Sequence, residues 1–316
     1  MLKIKNLSVT FSDTHSVQAV QDVSLILKEK QKVFIIGETG SGKSVLLLAI
    51  LRLLSKSAKV SGEIIYNEKN ILLIKEKEMN SLRGAELAYV PQGSGNSMNP
   101  LMTVGYQISE PLIKHKKVSK KQAIKQSIEL LKQFNIEDET NRVYNYPHMF
   151  SGGMKQRALV AMGISAGAKY IFADEPIKGL DEYNAKKVIE SFKSLTEQAV
   201  LCVTHDLNFA REVGEYIHVM YAARQVEMAA ADELFSNPLH PYMQDMINAM
   251  PENGLKSVLG FAPPNAENIG GCAYKERCIY YHQKCNSKPP MIEVNLGHKV
   301  RCWKYARQKN ENEYRN

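Results

Sequence analysis

The pattern of apolar and polar residues near the N-terminus predicts short β-strands. Residues 2–5 alternate between apolar and polar side chains, and residues 62–67 have the pattern of a hairpin arm. Residues 32–36 contain a continuous β-branched and aromatic run, which is typical of a strand buried on both faces. The run ends at Gly37, and an apolar helical segment follows from about Val45. Strand, glycine-rich turn and helix follow one another in the order that a phosphate-binding unit requires.

The middle of the chain combines helical patterns with two more buried strands. Between about residues 108 and 136, apolar positions at helical spacing are separated by lysines, which we expect on a solvated helix face. Apolar runs at residues 169–173 and 200–204 predict strands, and a helix is expected from about Ser151. Helices that alternate with buried strands predict an α/β core with a mostly parallel sheet.

The character of the chain changes after about Ala231. Prolines and glycines interrupt the sequence, and four of the five cysteines lie beyond residue 271. In a reducing compartment, a cluster of this kind indicates metal ligation before it indicates disulfides. We therefore expect a domain boundary near residue 235, with domains at residues 1–235 and 236–316.

Composition narrows the class of protein only slightly. The 316 residues suffice for one large and one smaller domain, and 41 Lys and Arg against 33 Asp and Glu give a net charge of +8. This charge attracts nucleic acid, anionic lipid or nucleotide phosphates, although a solvated basic surface explains it equally well. No apolar run reaches the roughly 18 residues of a membrane span, and the N-terminus lacks the apolar segment of a secretory signal. We expect a cytosolic chain that needs partner subunits for any role at a membrane.

A glycine-rich segment after the strand at residues 32–36 satisfies the P-loop pattern G-x-x-x-x-G-K-[ST]. Glycines let successive backbone N–H groups point inward at phosphate oxygens, and the following helix adds the positive end of its dipole. Lys43 is expected to reach the β- and γ-phosphates, and Ser44 to ligate Mg²⁺. The pattern predicts a nucleoside triphosphate site formed by Gly37, Glu38, Thr39, Gly40, Ser41, Gly42, Lys43 and Ser44.

Two adjacent acids follow the strand at residues 169–173. The carboxyl end of an apolar strand is where a P-loop enzyme holds Mg²⁺ through an acid, and we expect this role of Asp174. Glu175 comes next and could polarise the attacking water as a general base. Two acids alone are a weak signal, but together with the P-loop they predict hydrolysis of the triphosphate.

A second anion-binding pattern lies between the P-loop and the acidic pair. Ser151 can cap a helix whose first residues are Gly152 and Gly153, which leaves backbone N–H groups open to an anion. With Gln156, this segment resembles the L-S-G-G-x-x-Q-R signature of the ATP-binding cassette (ABC) family, with Phe150 in place of leucine. In that family two cassettes pair head to tail, so that the signature of one covers the ATP on the P-loop of the other.

Other ABC motifs can be matched by position in the chain. Gln92 resembles the Q-loop glutamine, Asp181 the D-loop aspartate at the dimer interface, and His205 the H-loop histidine that touches the γ-phosphate. Phe11 is the candidate for the aromatic residue that stacks on adenine. The resemblance implies ATP and Mg²⁺ as cofactors, the metal being held by Ser44, Gln92 and Asp174. The resemblance also implies that Glu175, His205 and Lys43 are the catalytic residues.

The resemblance covers residues 1–235 and implies the α/β fold of a P-loop NTPase of the ABC type. That fold has a RecA-like core, an antiparallel β subdomain and a helical subdomain, expected here at about residues 95–158. The residues that follow would form a small C-terminal cysteine-rich extension.

Two further segments narrow the resemblance to importers. Residues 237–242 resemble the N-P-x-H-P-Y stretch of oligopeptide, dipeptide and nickel importer ATPases, and residues 99–105 resemble their N-P-x-x-T-V-G segment. The resemblance implies an ATPase on the cytoplasmic face of the cell membrane that energises import of peptides or of nickel and other metal chelates. Its partners would be a second ABC ATPase, a paralogue in a heterodimer, two transmembrane permease subunits and an extracytoplasmic substrate-binding protein, with no nucleic acid. Since the permease and the binding protein select the cargo, the ATPase sequence does not separate peptide from nickel.

Four cysteines in C-x5-C-x6-C-x16-C spacing can hold an iron–sulfur cluster or Zn²⁺. The lack of C-x2-C pairs in this spacing disfavours zinc, and an unmetallated fold is the remaining alternative. Cys202 lies in an apolar strand and is expected to be a small buried side chain, while His282 and His298 are nearby candidate ligands. The resemblance to the importer ATPases implies a [4Fe-4S] cluster on Cys272, Cys278, Cys285 and Cys302.

Two other functions remain open at this point. A soluble ABC ATPase that acts on nucleic acid or the ribosome would suit the net charge of +8, but such proteins usually carry two cassettes or a long coiled-coil insertion. Alternatively, the cysteine segment could sense redox state or iron and gate the transporter ATPase. The spacing of the cysteines does not decide whether a cluster there is structural or regulatory.

Overall fold

The computed structural model describes residues 1–12, 16–93, 97–256, 260–263 and 269–306. The described residues form two compact units. The first comprises Met1, residues 27–32 and residues 69–203, and the second comprises residues 2–26, 33–68 and 204–316, within the described ranges. The predicted helical subdomain begins at residue 95, which lies outside the described residues. The boundary at residue 235 stays a prediction.

The strands are β1 (Leu2–Ser12), β2 (Ser16–Leu27), β3 (Lys32–Ile36), β4 (Ala58–Tyr66), β5 (Lys69–Asn70), β6 (Leu87–Val90), β7 (Tyr170–Asp174), β8 (Ala199–Thr204), β9 (Tyr216–Tyr221), β10 (Arg224–Ala230), β11 (Ile292–Asn295) and β12 (His298–Val300). The α-helices are α1 (Lys43–Ile50), α2 (Glu76–Leu82), α3 (Val104–Pro111), α4 (Lys120–Gln133), α5 (Glu139–Arg142), α6 (Gly152–Ser165), α7 (Glu182–Lys193), α8 (Leu207–Val213), α9 (Ala231–Ser236) and α10 (Pro241–Asn248). The three buried strands predicted from apolar runs and the helix after Ser151 are confirmed. In the described part of the chain, no helix is long and apolar enough to cross a bilayer.

The first unit contains parallel strands in the order β6, β7, β8. Every residue of β7 and β8 is buried, which agrees with their continuous apolar sequences. The register places Val90 opposite Ala173, and Asp174 opposite Val203. Because parallel strands end at the same edge of a sheet, residues that follow β6 and β7 leave the sheet on the same side.

The helical pattern predicted for residues 108–136 is divided in the structure. α3 continues into a π-helical turn at residues 112–116, which ends at Lys117 with a left-handed φ of 54°. α4 then begins with a capping box, in which Ser119 accepts the N–H of Gln122 and the Gln122 side chain accepts the N–H of Ser119. The helical pattern is therefore confirmed and comprises more than one helix, because local capping at Ser119 starts a new one.

The second unit contains a mixed sheet with the strand order β4, β1, β2, β10, β9, β3. β3 pairs in parallel with β9, whereas β1 with β4 and β9 with β10 are antiparallel. A two-residue turn at Ala222 and Ala223, both with positive φ, joins β9 to β10 directly instead of through a crossover helix. The predicted core strands β3, β7 and β8 thus pair in parallel with their neighbours, as expected, and the antiparallel pairing of β1 with β4 agrees with the expected antiparallel β subdomain.

The C-terminal residues extend the mixed sheet with a hairpin, β11 and β12, of which β12 pairs with β10. At this junction the fully buried Glu227 accepts the backbone N–H groups of Leu239 (2.7 Å) and His240 (2.8 Å). The Nε2 atom of His298 lies 2.7 Å from the same carboxylate. One buried carboxylate thus ties β10, the start of α10 and the C-terminal hairpin together.

Candidate functional site

The P-loop lies between β3 and α1, and two of its glycines touch neighbouring backbone. A Cβ atom on Gly37 would lie 2.1 Å from the carbonyl oxygen of Met220, and one on Gly42 would lie 2.0 Å from that of Ala19. Gly42 also has a φ of 94°, which residues with side chains rarely adopt. Only glycine fits at these two positions, which brings the loop backbone close to β9 and β2.

The side chain of Lys43 is buried and folds over the loop. Its Nζ donates to the carbonyl oxygens of Gly37 (2.7 Å) and Glu38 (2.9 Å), and it lies 3.4 Å from Oγ of Ser41. α1 begins at Lys43, so the positive end of the helix dipole lies at the loop. A lysine ammonium and a helix N-terminus therefore lie at one loop, beside the half-buried Ser44, as the predicted phosphate site requires.

Two residues without a predicted role contact Glu38 of the P-loop. Oη of Tyr242 accepts the N–H of Glu38 at 2.8 Å, and Nη1 of Arg277 lies 3.0 and 3.1 Å from its carboxylate oxygens. Tyr242 ends the N-P-x-H-P-Y stretch, and Arg277 directly precedes Cys278. Their positions in these motifs were the only sequence signal for a functional role.

Asp174 and Glu175 lie at the carboxyl end of β7, and both are buried. Tyr89 of β6 donates its O–H to Oδ2 of Asp174 at 3.3 Å. Glu175 has a left-handed φ of 46°, and its N–H donates to the carbonyl oxygen of Val203 at 2.9 Å. Strained backbone of this kind is concentrated at functional sites, where the surroundings hold it in place. Both carboxylates therefore start from a fixed backbone at one sheet edge.

Gln92 is exposed and follows β6 by two residues. Since Val90 is opposite Ala173 in a parallel ladder, Gln92 and Asp174 leave the sheet at the same edge. The structure thus brings two of the three predicted Mg²⁺ ligands to one side of the first unit. The third, Ser44, belongs to the second unit.

The signature segment opens α6 in the first unit. Ser151 is the N-cap, and its Oγ accepts the N–H of Met154 at 3.3 Å. Gly153 packs against α7, where a Cβ atom would lie 2.5 Å from Oδ1 of Asn184. Ser151 and Gly152 are exposed, so they are the part of the signature that is open to an anion.

Gln156, unlike Ser151 and Gly152, is not exposed. Its side chain is buried, and its Nε2 has no hydrogen-bond partner in the part of the chain that the structure describes. The neighbouring Arg157 is also buried, which lowers the pKa of its guanidinium. Gln156 thus lies inside the unit rather than at its surface, and its contact with a nucleotide stays a prediction.

Asp181 and His205 each lie next to a helix start. Asp181 caps α7 by accepting the N–H of Asn184 at 2.9 Å, and the Asn184 amide donates to its other oxygen at 2.7 Å. These hydrogen bonds lower the pKa of Asp181. His205 is exposed and lies between Thr204 and Asp206. The N–H of Asp206 donates to Oγ1 of Thr204 at 3.0 Å, and the side chain of Asp206 caps α8. In both places capping fixes the backbone from which the predicted functional side chain projects.

Phe11 lies near the end of β1, half-buried and opposite Ala58 of β4. Residues 13–15 lie outside the described residues, and stacking of Phe11 on adenine stays a prediction. The predicted ATP-site residues are assigned to units as follows. Phe11, the P-loop and His205 belong to the second, and Gln92, Asp174, Glu175, the signature and Asp181 belong to the first.

The four C-terminal cysteines line one cavity in the second unit. The N–H of Cys272 donates to the carbonyl oxygen of Cys285 at 2.8 Å, and a Cβ atom on Gly271 would lie 2.2 Å from that oxygen. Burial raises the pKa of the Cys272 and Cys302 thiols to about 11, and the charges of the other cysteines contribute. The predicted ligands therefore face one shared space.

Metal binding by this cavity stays a prediction. Among the described residues, no group of three or more His, Cys, Asp or Glu side chains has the arrangement of a metal site. His298 is held between Glu227 (2.7 Å) and Glu233 (3.3 Å), whereas His282 lines the cavity. Cys202 is fully buried in β8, as predicted.

Comparison with known proteins agrees with this geometry. The family described as ABC transporter matches residues 20–178, and the oligopeptide/dipeptide transporter C-terminal region matches residues 226–285. The chain belongs to the ABC transporter family. It is an ATPase of the type that couples ATP hydrolysis to transport.

Two relatives extend the similarity over 96% of the chain. The chain is 36% identical to the probable peptide ABC transporter ATP-binding protein y4tR of Sinorhizobium fredii, and the similarity covers 95% of that protein. It is also 36% identical to the oligopeptide transport ATP-binding protein OppD of Bacillus subtilis, covering 88% of that protein. A solved dimeric ATP-binding cassette, bound to ADP and phosphate after hydrolysis, has a TM-score of 0.65 and 28% identity. That similarity covers 73% of this chain and 99% of the cassette, which confirms the ABC cassette fold.

Proposed function

We propose that this chain is the ATP-hydrolysing subunit of a membrane importer that takes up peptides. The observation that carries the proposal is the presence, in one chain, of an ABC cassette and a C-terminal region of the oligopeptide/dipeptide transporter type at residues 226–285. The relatives named as peptide transport proteins are similar along 96% of the chain, so the similarity is not confined to the cassette. Nickel, which the sequence left open, has no specific support in these comparisons.

The first step would be binding of ATP to residues 37–44, with adenine on Phe11. Lys43 would exchange its contacts with the carbonyl oxygens of Gly37 and Glu38 for oxygens of the β- and γ-phosphates. The dipole of α1 favours the same anion. The predicted ligands of Mg²⁺, which neutralises phosphate charge when bound, are Ser44, Gln92 and Asp174.

Hydrolysis needs a base beside the γ-phosphate. Glu175 suits this role, because its carboxylate is buried and its backbone is fixed at the end of β7. Tyr89 would keep the neighbouring Asp174 in place through its hydrogen bond. Lys43 and His205 would stabilise the negative charge that spreads over the γ-phosphate in the transition state.

A second cassette would complete the site. Ser151 and Gly152 are exposed at the N-terminus of α6, where backbone N–H groups and the helix dipole favour an anion. We infer that Ser151 and Gly152 cover the ATP of a paired cassette. Gly153 and the buried Gln156 would position this end of α6, and Asp181 would lie at the interface between the two cassettes. The similar solved cassette is itself dimeric. The partner here would be a paralogue, which gives a heterodimer.

An exposed apolar surface of the first unit supports docking to a membrane permease. The N–H groups of Val104 and Gly105 donate to the carbonyl oxygens of Asn145 and Val143, each at 2.9 Å, so two segments of chain lie side by side. Several exposed apolar side chains on two adjacent segments are typical of an interaction site. Two transmembrane permease subunits would dock here and hold the chain at the cytoplasmic face of the membrane, while an extracytoplasmic binding protein delivers the peptide. The exposed side chains of this surface are Leu101, Met102, Tyr106, Tyr144 and Tyr146.

We infer that the cysteine cavity holds a [4Fe-4S] cluster. Four thiols around one cavity are the ligand set of such a cluster, and the lack of C-x2-C pairs in their spacing disfavours a single Zn²⁺. The full chain, purified without oxygen, is expected to contain about four irons with a cluster absorption band, and Cys272→Ser should lose them. One zinc per chain, or no metal, would contradict the inference. ATPase activity that changes on cluster oxidation would assign the cluster a regulatory role, and unchanged activity a structural one.

The cargo is tested by uptake of labelled short peptides and labelled nickel. Cells with the native chain are compared with cells that carry Glu175→Gln. We expect loss of peptide uptake alone in the variant. Loss of nickel uptake alone would replace peptide by metal as the cargo, and uptake of both at the native rate would contradict the proposed importer.

A further inference from the structure

Glu38 adds a negative charge to the loop in which phosphates are to bind. Like charges at contact distance repel, so an uncompensated carboxylate here would oppose binding of a triphosphate. In the structure the carboxylate is compensated. Nη1 of Arg277 lies 3.0 Å from its Oε1 and 3.1 Å from its Oε2. The ion pair neutralises the charge that Glu38 adds to the loop.

Arg277 is itself fixed by aromatic rings. Its side chain is 7% exposed, compared with 35% for Glu38. Nη1 donates to Oη of Tyr221 at 3.2 Å, and the guanidinium lies 5.3 Å and 5.7 Å from the ring centroids of Tyr274 and Tyr221. A guanidinium packed in this way keeps its charge at one position, so the ion pair is more than a mobile surface contact.

Tyr242 holds the backbone of the same P-loop residue. Its Oη accepts the N–H of Glu38 at 2.8 Å, while Lys43 donates to the carbonyl oxygen of Glu38 at 2.9 Å. The ring of Tyr242 packs against Tyr221 and Tyr274, with centroids 4.6 Å and 5.4 Å apart. The N–H, the carbonyl oxygen and the carboxylate of Glu38 all have protein partners, and two of these partners come from the C-terminal part of the chain.

One of these residues, Tyr274, also borders the four-cysteine cavity. Tyr274 lines the cavity with Cys272 and Cys278, and Arg277 ends a short 3-10 turn at residues 275–277 that leads into Cys278. Within the second unit, a continuous set of contacts therefore joins the cysteine cavity to the P-loop.

We propose that Arg277 is a positioning residue of the nucleotide site, which neutralises Glu38 and so makes ATP affinity depend on the C-terminal four-cysteine segment. The inference rests on the proposed function, because it takes residues 37–44 to be the ATP site. Arg277 acts through Glu38 rather than on the reacting atoms. Its loss therefore affects ATP binding more than the chemical step.

The test measures KM and kcat for ATP in the complete transporter, reconstituted in lipid vesicles, and Kd for ATP in the purified full chain. Arg277→Met is expected to raise KM and Kd about tenfold, a moderate effect because water partly screens the exposed fraction of Glu38. The change in kcat should stay below about twofold. Arg277→Lys should restore most of the affinity, because both contacts with Glu38 pass through one nitrogen atom.

The Glu38→Gln background separates positioning from general damage. In it, Arg277→Met should leave KM unchanged, because no charge remains to be neutralised. An equal rise of KM in both backgrounds, or no rise in the native background, would overturn the inference. Arg211→Met is the matched control, since Arg211 is an arginine of the same unit whose ion pair with Glu252 at 3.3 Å is largely exposed. It should leave KM and Kd unchanged.

Two other outcomes remain distinguishable. Should Arg277→Met not fold, the same comparison uses Arg277→Lys, whose KM should rise about twofold in the native background and not at all with Glu38→Gln. A native chain that neither binds nor hydrolyses ATP would overturn the proposed function itself. If the native chain binds and hydrolyses ATP normally and the Arg277 variants have the same KM and Kd for ATP, this inference alone is overturned.

Discussion

Tyr89 donates its O–H to the carboxylate of Asp174 at 3.3 Å and so joins the strand before the Q-loop glutamine to the acidic end of β7. Burial raises the pKa of Tyr89, and the charge of Asp174 and the hydrogen bond raise it further. The phenol therefore stays protonated and remains a donor at neutral pH. The contact orients a carboxylate that is a predicted Mg²⁺ ligand.

Removing this hydrogen bond should raise the Mg²⁺ concentration that ATPase activity requires. In Tyr89→Phe the ring remains but Asp174 loses its donor, a loss worth about 1 kcal/mol. We expect the Mg²⁺ concentration for half-maximal ATPase activity to rise about fivefold, which corresponds to that energy. Tyr144→Phe, which alters an exposed tyrosine of the same unit, serves as control. An unchanged Mg²⁺ requirement in Tyr89→Phe would show that Tyr89 does not orient Asp174.

Gly153 is expected to be the glycine of α6 that tolerates a side chain least. In Gly153→Ala the new Cβ would lie 2.5 Å from Oδ1 of Asn184, which also holds Asp181. We expect a loss of about 1–3 kcal/mol in the free energy of unfolding. Thermal unfolding of the purified chain measures it.

Gly163 provides the control in the same helix. A Cβ atom there would meet its nearest neighbour, on Val90, at an ordinary 3.5 Å. Gly163→Ala should therefore raise the free energy of unfolding by about 0.5–1 kcal/mol, because alanine favours the helix. Equal destabilisation by both substitutions would contradict the packing of Gly153 against α7.

His298 makes stability depend on pH. Burial lowers the pKa of His298, but the hydrogen bonds and charges of Glu227 and Glu233 outweigh it, and the net shift is upward. A raised pKa in the folded state means that the charged imidazole stabilises the fold fully below about pH 6.5, its unfolded pKa. This contribution is lost as the pH rises through the raised value.

The substitution His298→Gln keeps a hydrogen-bond donor and removes the charge. At pH 6 it should cost about 2 kcal/mol in the free energy of unfolding, and the cost should shrink at alkaline pH. Melting temperatures across the pH range measure the difference from the native chain. His148→Gln, at an exposed histidine, should show no such trend. A constant cost at all pH values would mean that His298 is neutral in the folded state.

Local patterns predicted the parts of the site that depend on consecutive residues. The P-loop follows from glycines at Gly37 and Gly42, where only glycine fits, and from the buried strand that precedes them. The position of Asp174 at a strand end follows from the apolar run before it. In each case, the chemistry and the local backbone are specified within about ten residues of chain, which is the range of the periodicity signals.

Contacts between distant residues were not predictable in this way. Tyr242 and Arg277 contact Glu38 across 204 and 239 residues of chain, and no periodicity or spacing relates such positions. The helical pattern of residues 108–136 did not indicate the break at Lys117, because capping at Ser119 competes with an otherwise continuous periodicity. The cysteine spacing predicted four side chains at one site, but it does not determine which group they bind.

The central claim is that Glu175 is the general base of an ATPase, and phosphate release by the reconstituted transporter tests it most directly. The native chain is compared with Glu175→Gln, with Kd for ATP measured on both. We predict that kcat falls by about 10²- to 10⁴-fold while Kd for ATP is retained, because the amide keeps the shape of the side chain and cannot accept a proton. Hydrolysis at the native rate by Glu175→Gln would contradict the assignment of the base and the mechanism built on it.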